Sequence, residues 1–375
     1  MSLQRPIGFG SFKGSNTPKT SEYTPQLNPH TMPQDYKFCT GPWNFSEGAD
    51  PYGPVTRQSQ DFDWRLAQLK KLGFDAMMFH DDDAVPDIDN KSEAQILKEA
   101  GELKKKLDSE GIVAEIVAPR LWFSPLTIDG AYTSNDPKHR QYAIDRSLRS
   151  IDIANVLGTD LLVLWLAREG TYVRESKNPR RSVEYIVEAI DKMLAHDKNI
   201  RIAIEPKPNE PMDHAYVPTI GHVLAVAEKT ADPKRVGALI ESAHCTLAGL
   251  DPSDEIAFAL AFDKLWSLHL NDQNGLKYDQ DKPFGSANLR GAFDQVRVLE
   301  QNKYGSRGEY VCFDVHPFRT TKPEHWLAHL DNSRNTFLKL VEKARSYDEA
   351  KANAFIADRD YQALDQYVIE HLLKG

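Results

Sequence analysis

The segment Leu161-Leu162-Val163-Leu164-Trp165-Leu166 runs for six residues without a polar interruption. A strand with one wet face alternates apolar and polar side chains. One that is apolar throughout must be covered on both faces, as in a parallel sheet wrapped by helices. Short strand-like segments recur along the chain, at Lys37–Thr40, Phe74–His80, Ile112–Pro119, Asp160–Leu166, Arg201–Glu205, Val236–Glu241, Lys264–Asn271 and Tyr310–Val315. Longer segments with helical spacing fill the gaps. The clearest carries Val183, Ile186, Val187, Ile190, Met193 and Leu194 on one face. Weaker patterns cover 59–72, 92–109, 138–157, 218–230, 253–262, 289–302 and 324–345. Eight strands, each followed by a helix, predict an α/β fold, a (β/α)8 TIM barrel over residues 36–345. Residues 1–35, rich in Ser, Thr, Pro, Gly and Asn, read as an extended N-terminal arm. Residues 346–375, charged and Ala-rich, read as a C-terminal helical tail.

Charge and cysteine usage narrow the partners. Forty-six Lys and Arg face 55 Asp and Glu, a formal net charge of −9, which points away from nucleic acid. No apolar run reaches the length of a membrane span and no secretory signal is visible, so the expected location is cytoplasmic. The three cysteines, Cys39, Cys245 and Cys312, are too few and too scattered for a disulfide framework or a Cys-based zinc site. Cys245 and Cys312 read as small core residues.

In such a barrel, chemistry gathers where the strands end at their C-terminal face. Those ends carry His80, Trp165, Glu205 with Lys207, Glu241 with His244, His269 and Asp314, and Asp279 and Asp281 follow in the loop after the seventh strand. Three prolines stiffen Glu205-Pro206-Lys207-Pro208-Asn209-Glu210-Pro211, fixing charged side chains where a buried strand meets a loop. A salt-bridged Glu–Lys pair would account for that run alone, and a core histidine for His269 alone. Recurrence at successive strand ends favours a site. Five carboxylates sharing one cavity would drive each other's pKa upward unless cations compensate. Mixed carboxylate and imidazole donors suit Mg, Mn or Co, and the charge calls for two divalent cations.

Several motifs give the chain a resemblance to D-xylose isomerase from about Lys37 to beyond Asp314. They are Phe79-His80-Asp81-Asp82-Asp83, Asp129 to Asp136, Val163-Leu164-Trp165 with Arg168-Glu169-Gly170, and Glu205 to Pro211. Glu241-Ser242-Ala243-His244, Leu247-Ala248-Gly249-Leu250, Lys277 to Asp281 and Phe313-Asp314 continue the series. The resemblance implies an intramolecular oxidoreductase that opens a cyclic aldose, most simply D-xylose, and converts it to the ketose by a metal-assisted 1,2-hydride shift. By position, Glu205, Glu241 and Asp314 resemble ligands of a first metal, and His244, Asp279 and Asp281 resemble ligands of a second that Glu241 bridges. His80 oriented by Asp83 resembles the ring-opening pair, and Lys207 the cation that polarises the substrate carbonyl. Trp43, Trp122 and Trp165 resemble sugar-pocket residues, and Tyr52 an aromatic supplied to a neighbouring subunit of a homodimer or homotetramer.

Two positions depart from that pattern. His269 stands where the family has an Asp ligand, which makes the first set similar to that of L-rhamnose isomerases. His316 stands where a Lys is common. Other sugars, of rhamnose or glucose type, therefore remain open as substrates. So does a ketose 3-epimerase using two carboxylates across one metal, and, more remotely, a silent sugar- or metal-binding protein. No Gly-rich phosphate cradle follows the last strands, which points to an unphosphorylated sugar.

Overall fold

A computed structural model describes residues 36–49 and 53–374. The proposed 1–35 arm lies outside the described residues. Eight parallel strands form a closed barrel: β1 (Lys37–Thr40), β2 (Ala76–His80), β3 (Val113–Ala118), β4 (Leu161–Trp165), β5 (Arg201–Glu205), β6 (Val236–Glu241), β7 (Leu265–Leu270) and β8 (Tyr310–Phe313). Each pairs with its sequence neighbours, and β1 closes the ring on β8 through the register Lys37↔Tyr310 to Thr40↔Phe313.

Eight helices wrap the barrel: α1 (Phe62–Lys71), α2 (Glu93–Glu110), α3 (Pro137–Leu157), α4 (Pro179–His196), α5 (Ile220–Ala227), α6 (Pro252–Ala261), α7 (Leu289–Gln301) and α8 (Ala328–Arg345). Local chemistry sets their ends. Side chains of Asp61, Asp136, Asn178 and Asp251 accept hydrogen bonds from first-turn amides, and proline follows directly at α3, α4 and α6. Ser92 and Gln95 form a reciprocal capping box at α2, and Gly111 ends that helix at φ 69°, where a side chain would be strained.

The core has two layers. Phe38, Phe74, Phe313 and Phe337 belong to the layer between strands and helices, and small or slender side chains such as Cys39, Ala76, Met78, Val163, Ala203 and Cys312 fill the lumen. The last strand is shorter than expected. It leaves the ladder after Phe313 because the next amides turn to other partners: Val315 N donates to Asn44 Oδ1 at 3.2 Å and His316 N to Asp281 O at 2.8 Å. Beyond α8, α9 (Glu349–Ala357) and α10 (Tyr361–Leu373) fold back on the barrel's outer ring. Arg297 of α7 pairs with Glu349 at 2.6 Å, and His371 lies 6.0 Å from Phe293.

Phe313 is fully buried and its ring lies 6.0 Å from Phe38, 6.2 Å from Phe74 and 6.5 Å from Phe337. Phe313→Ala should cost about 3–5 kcal/mol of stability. The expected readout is a clearly lowered urea midpoint with an unchanged m-value.

Candidate metal centre

Parallel register brings the key side chains to one height. Trp165 pairs with Glu205, and Glu241 with His269, while Asp314 follows the end of β8. His269 Nδ1 lies 3.5 Å from Glu205 Oε1, 3.5 Å from Glu241 Oε2 and 3.7 Å from Asp314 Oδ2. The other ring nitrogen, Nε2, sits 3.0 Å from Met78 Sδ. With the proton on Nε2, Nδ1 directs a lone pair at three carboxylates, a repulsive arrangement unless a positive charge lies among them. Nδ1 is buried and has no hydrogen-bond partner among the described residues. Buried carboxylate oxygens and an unpartnered imidazole nitrogen are the donor set a divalent cation takes.

A second cluster shares Glu241. His244 Nε2 is 3.3 Å from Glu241 Oε1 and 3.1 Å from Asp279 Oδ2, and carboxylate oxygens of Glu241, Asp279 and Asp281 lie within 4.8 Å of one another. Asp279 Oδ1 and His244 Nδ1 are also buried without partners among the described residues. Glu241 thus stands between both sets, as a bridging ligand must.

Left to itself, this cluster would balance its charge with protons. Burial works against the His269 imidazolium, but Glu205, Glu241 and Asp314 outweigh it and raise the group well above its ordinary range. Burial, with Asp279, Glu205 and Asp314 beside it, drives Glu241 well upward. Burial and the Asp279 charge push Asp281 to about 6. Groups this far from their ordinary protonation, converging in one cleft, mark a site built for chemistry or cations.

Lys207 is nearly buried, with Nζ 2.8 Å from Asp279 Oδ2, 3.4 Å from Glu210 Oε2 and 5.0 Å from the centre of the Trp165 ring. Burial opposes its charge, yet Asp279 and Glu210 hold it protonated above the usual lysine range. The Glu–Lys pairing expected of a purely structural run is therefore present through Glu210, while the ammonium also reaches the metal cluster. Across the cavity, His80 Nδ1 is 2.8 Å from Asp83 Oδ2. Burial raises Asp83, but bonding to His80 and the charge of Arg120 bring it down to about 2. A carboxylate on Nδ1 orients the ring and leaves Nε2 for a ligand. Trp43 lies 4.2 Å from His80, His80 5.1 Å from Trp122, and Trp122 4.5 Å from Trp165, ring centre to ring centre. These groups line a cavity of 470 Å³, of monosaccharide scale. Tyr52 lies outside the described residues.

Four supporting residues were not singled out as site residues from sequence. Asn271 Nδ2 donates to Glu241 Oε1 at 2.9 Å and to Asp281 Oδ1 at 3.1 Å, while its Oδ1 accepts from Ala243 N at 2.8 Å. Its place at the predicted strand end was the available signal. Arg120 Nη2 lies 2.8 Å from Asp83 Oδ2 and 2.6 Å from His80 Nδ1, so guanidinium and imidazole share one carboxylate. His316 Nδ1 lies 3.0 Å from Asp281 Oδ2. Glu169 accepts from the amides of Ala131, Tyr132 and Thr133 at 2.9–3.0 Å, which explains the Asp129–Asp136 motif as a loop held in place. Asp272 belongs to its loop, accepting from Ala287 N and Asn288 N at 2.7 and 2.8 Å.

Glu241→Gln should lower the cation content, since one lost charge weakens both clusters. Metal analysis of the purified variant checks this, and two retained ions would remove Glu241 from the bridging position. His269→Asp should move preference from Mn or Co toward Mg, because carboxylate is the harder donor. Competition binding between Mn and Mg reads that ratio.

Comparison with known proteins agrees with this geometry. The family described as "Xylose isomerase-like TIM barrel" matches residues 66–329. A protein named xylose isomerase, from Thermus thermophilus, is 36% identical over 322 residues, covering 84% of this chain and 81% of that protein. Among solved structures, an L-ribulose 3-epimerase superposes with a TM-score of 0.60 at 15% identity, covering 83% of this chain and 96% of that one. A D-tagatose 3-epimerase-like protein does so at 0.59 and 14%, covering 83% and 100%; at such identity these two speak for the fold alone. The barrel topology, the clustered candidate metal ligands and the length of the match together make this chain a member of the xylose isomerase-like TIM-barrel family, a metal-coordinating enzyme.

Proposed function

We propose that this enzyme interconverts an unphosphorylated aldose and its ketose by a 1,2-hydride shift, using two divalent cations. One observation carries the reading: Glu241 is common to two ligand clusters, with the Lys207 ammonium on Asp279 at the edge of the second. A single-cation reaction has no use for the second set. The 36% identical xylose isomerase supports the same class and makes D-xylose the first sugar to test. His269 in the first set keeps rhamnose- and glucose-type sugars in the same trial.

Cations held by these residues would supply Lewis acidity to the sugar oxygens. The remaining work falls to the chain itself. His80, with Asp83 fixing its ring, takes the anomeric hydroxyl proton as the ring opens and returns it to the ring oxygen. Lys207 places positive charge beside the C1 carbonyl oxygen, stabilising it as negative charge grows there. The C2 hydrogen then moves with its electron pair to C1. The C2 hydroxyl gives up its proton and becomes the carbonyl, and the C1 oxygen takes up a proton. The indole walls of Trp43, Trp122 and Trp165 keep water from the migrating hydrogen.

A ketose 3-epimerase is the second reading. Glu205 and Glu241 both reach within 3.5 Å of His269 Nδ1, so two acids flank one candidate cation position and could act as base and acid in turn. Turnover in deuterium oxide separates the two. The proposed hydride shift keeps the migrating hydrogen in the sugar, whereas epimerisation installs solvent deuterium at C3. Product analysis over aldopentoses, aldohexoses and their ketoses, with Mg, Mn and Co in turn, also identifies the sugar. Retained hydrogen with an aldose–ketose product is the expected result.

Lys207→Met should lower kcat about a hundredfold, the scale of one lost charge-stabilising donor of roughly 3 kcal/mol. Metal content should stay near parental; parental turnover would reduce Lys207 to a salt-bridge partner. We also propose a homo-oligomer as the active form, supported by Phe123, which is 73% exposed on the rim of the cavity. Sedimentation should report a dimer or larger species, and an active monomer would defeat the idea.

A further inference from the structure

Closing the barrel joins two residues that are 273 positions apart. Cys39 on β1 and Cys312 on β8 are register partners across the seam, and both are fully buried. Their Sγ atoms and a carboxylate oxygen of Glu115, from β3, all lie within 4.8 Å of one another. Glu115 is 9% exposed, and its Oε2 is buried with no hydrogen-bond partner among the described residues. Ser267 Oγ lies 3.7 Å from Cys312 Sγ. On the side away from the sugar cavity, Glu115 borders a second cavity of 480 Å³, walled in part by Trp266, Arg201 and Tyr310.

Packing alone does not account for this group. Two thiols in a lumen would be ordinary core, but a carboxyl beside them, with an unpartnered oxygen, carries a desolvation cost that an alanine would not. Burial pushes the Glu115 carboxyl up to about 7, despite Ser267 and His269 nearby. Two sulfurs and one oxygen form a softer set than the carboxylate and imidazole donors above. We propose that Cys39, Cys312 and Glu115 bind one thiophilic divalent cation, zinc by chemistry, with water from the 480 Å³ cavity as the fourth ligand. Loading converts the two thiols to thiolates and releases their protons. The cation ties the first strand to the last, so its role is to hold the barrel's seam. It is separate from the catalytic pair, whose clusters contain no sulfur donor.

Cobalt and zinc test the proposal on the full-length reduced protein. Co²⁺ should fill the oxygen- and nitrogen-lined clusters without a thiolate signal and, in addition, give a thiolate-to-cobalt charge-transfer band in the near ultraviolet, saturating at one ion per chain. Zn²⁺ should abolish the band stoichiometrically and raise the melting temperature. Cys39→Ser and Cys312→Ser should lose the band while Cys245→Ser keeps it. Glu115→Gln should keep two sulfur ligands but bind about tenfold more weakly, with circular dichroism confirming the fold of each variant. Cobalt-saturated wild-type protein without the band would overturn the proposal, even if the cysteine variants fail to fold. A mass two hydrogens lower, locating a Cys39–Cys312 disulfide in the protein as purified, would overturn it as well.

Discussion

The site is organised by an excess of buried negative charge around one imidazole. Three carboxylates converge on His269 Nδ1, while Nε2 is held against Met78. In a low-dielectric barrel mouth, such convergence is stable only with positive charge among the groups. The strand ends, the stiff loop after β5 and the loop carrying Asp279 and Asp281 all serve to hold these oxygens at their positions. Asn271 is central to that arrangement, because one amide bonds both Glu241, which is common to the two clusters, and Asp281 of the second.

The barrel keeps two kinds of interior apart. Its lumen is lined mostly by small or slender side chains, with Glu115 beside Cys39 and Cys312 as the polar exception, and its C-terminal mouth by acids and imidazoles. Met78 lies at the boundary, its sulfur against the His269 ring. The polar layer depends on the apolar one below it, because the register of β5 to β7 fixes the height of Glu205, Glu241 and His269 together. A one-residue slip in any of these strands would turn one of these side chains away from the mouth.

Lys207 illustrates how one side chain serves two demands. Its pairing with Glu210 stiffens the loop, and its reach to Asp279 sets a cation beside the second cluster. The Trp165 ring beneath the ammonium further restricts it. His80 is held in a similar way. Asp83 and Arg120 fix it from one side and the Trp43 and Trp122 rings from others, so its orientation is set by the protein alone.

Much of this was legible in one dimension. An apolar β4 demands cover on both faces, and helical spacing such as that of α4 supplies the cover, so the eightfold alternation led to the barrel. Charged residues at strand ends, where charge is costly, led to Glu205, Glu241, His269 and Asp314. Arg120 and Asn271 were not legible in that way: an arginine in a loop and an amide closing a strand carry no distinctive spacing, and their roles exist only through partners far along the chain. The end of β8 falls short of its predicted limit for the same reason, because Asn44 and Asp281 draw the amides of Val315 and His316 out of the ladder. Cys39 and Cys312 give the sharpest contrast. Their scatter in sequence argues against a Cys-based zinc site, and only closure of the barrel sets them side by side with Glu115. Sequence by itself determined which segments are strands and helices and which strand ends carry charge, since these follow from local periodicity and the cost of burying ions. Tertiary structure decided which distant groups meet, since that depends on ring closure and strand register.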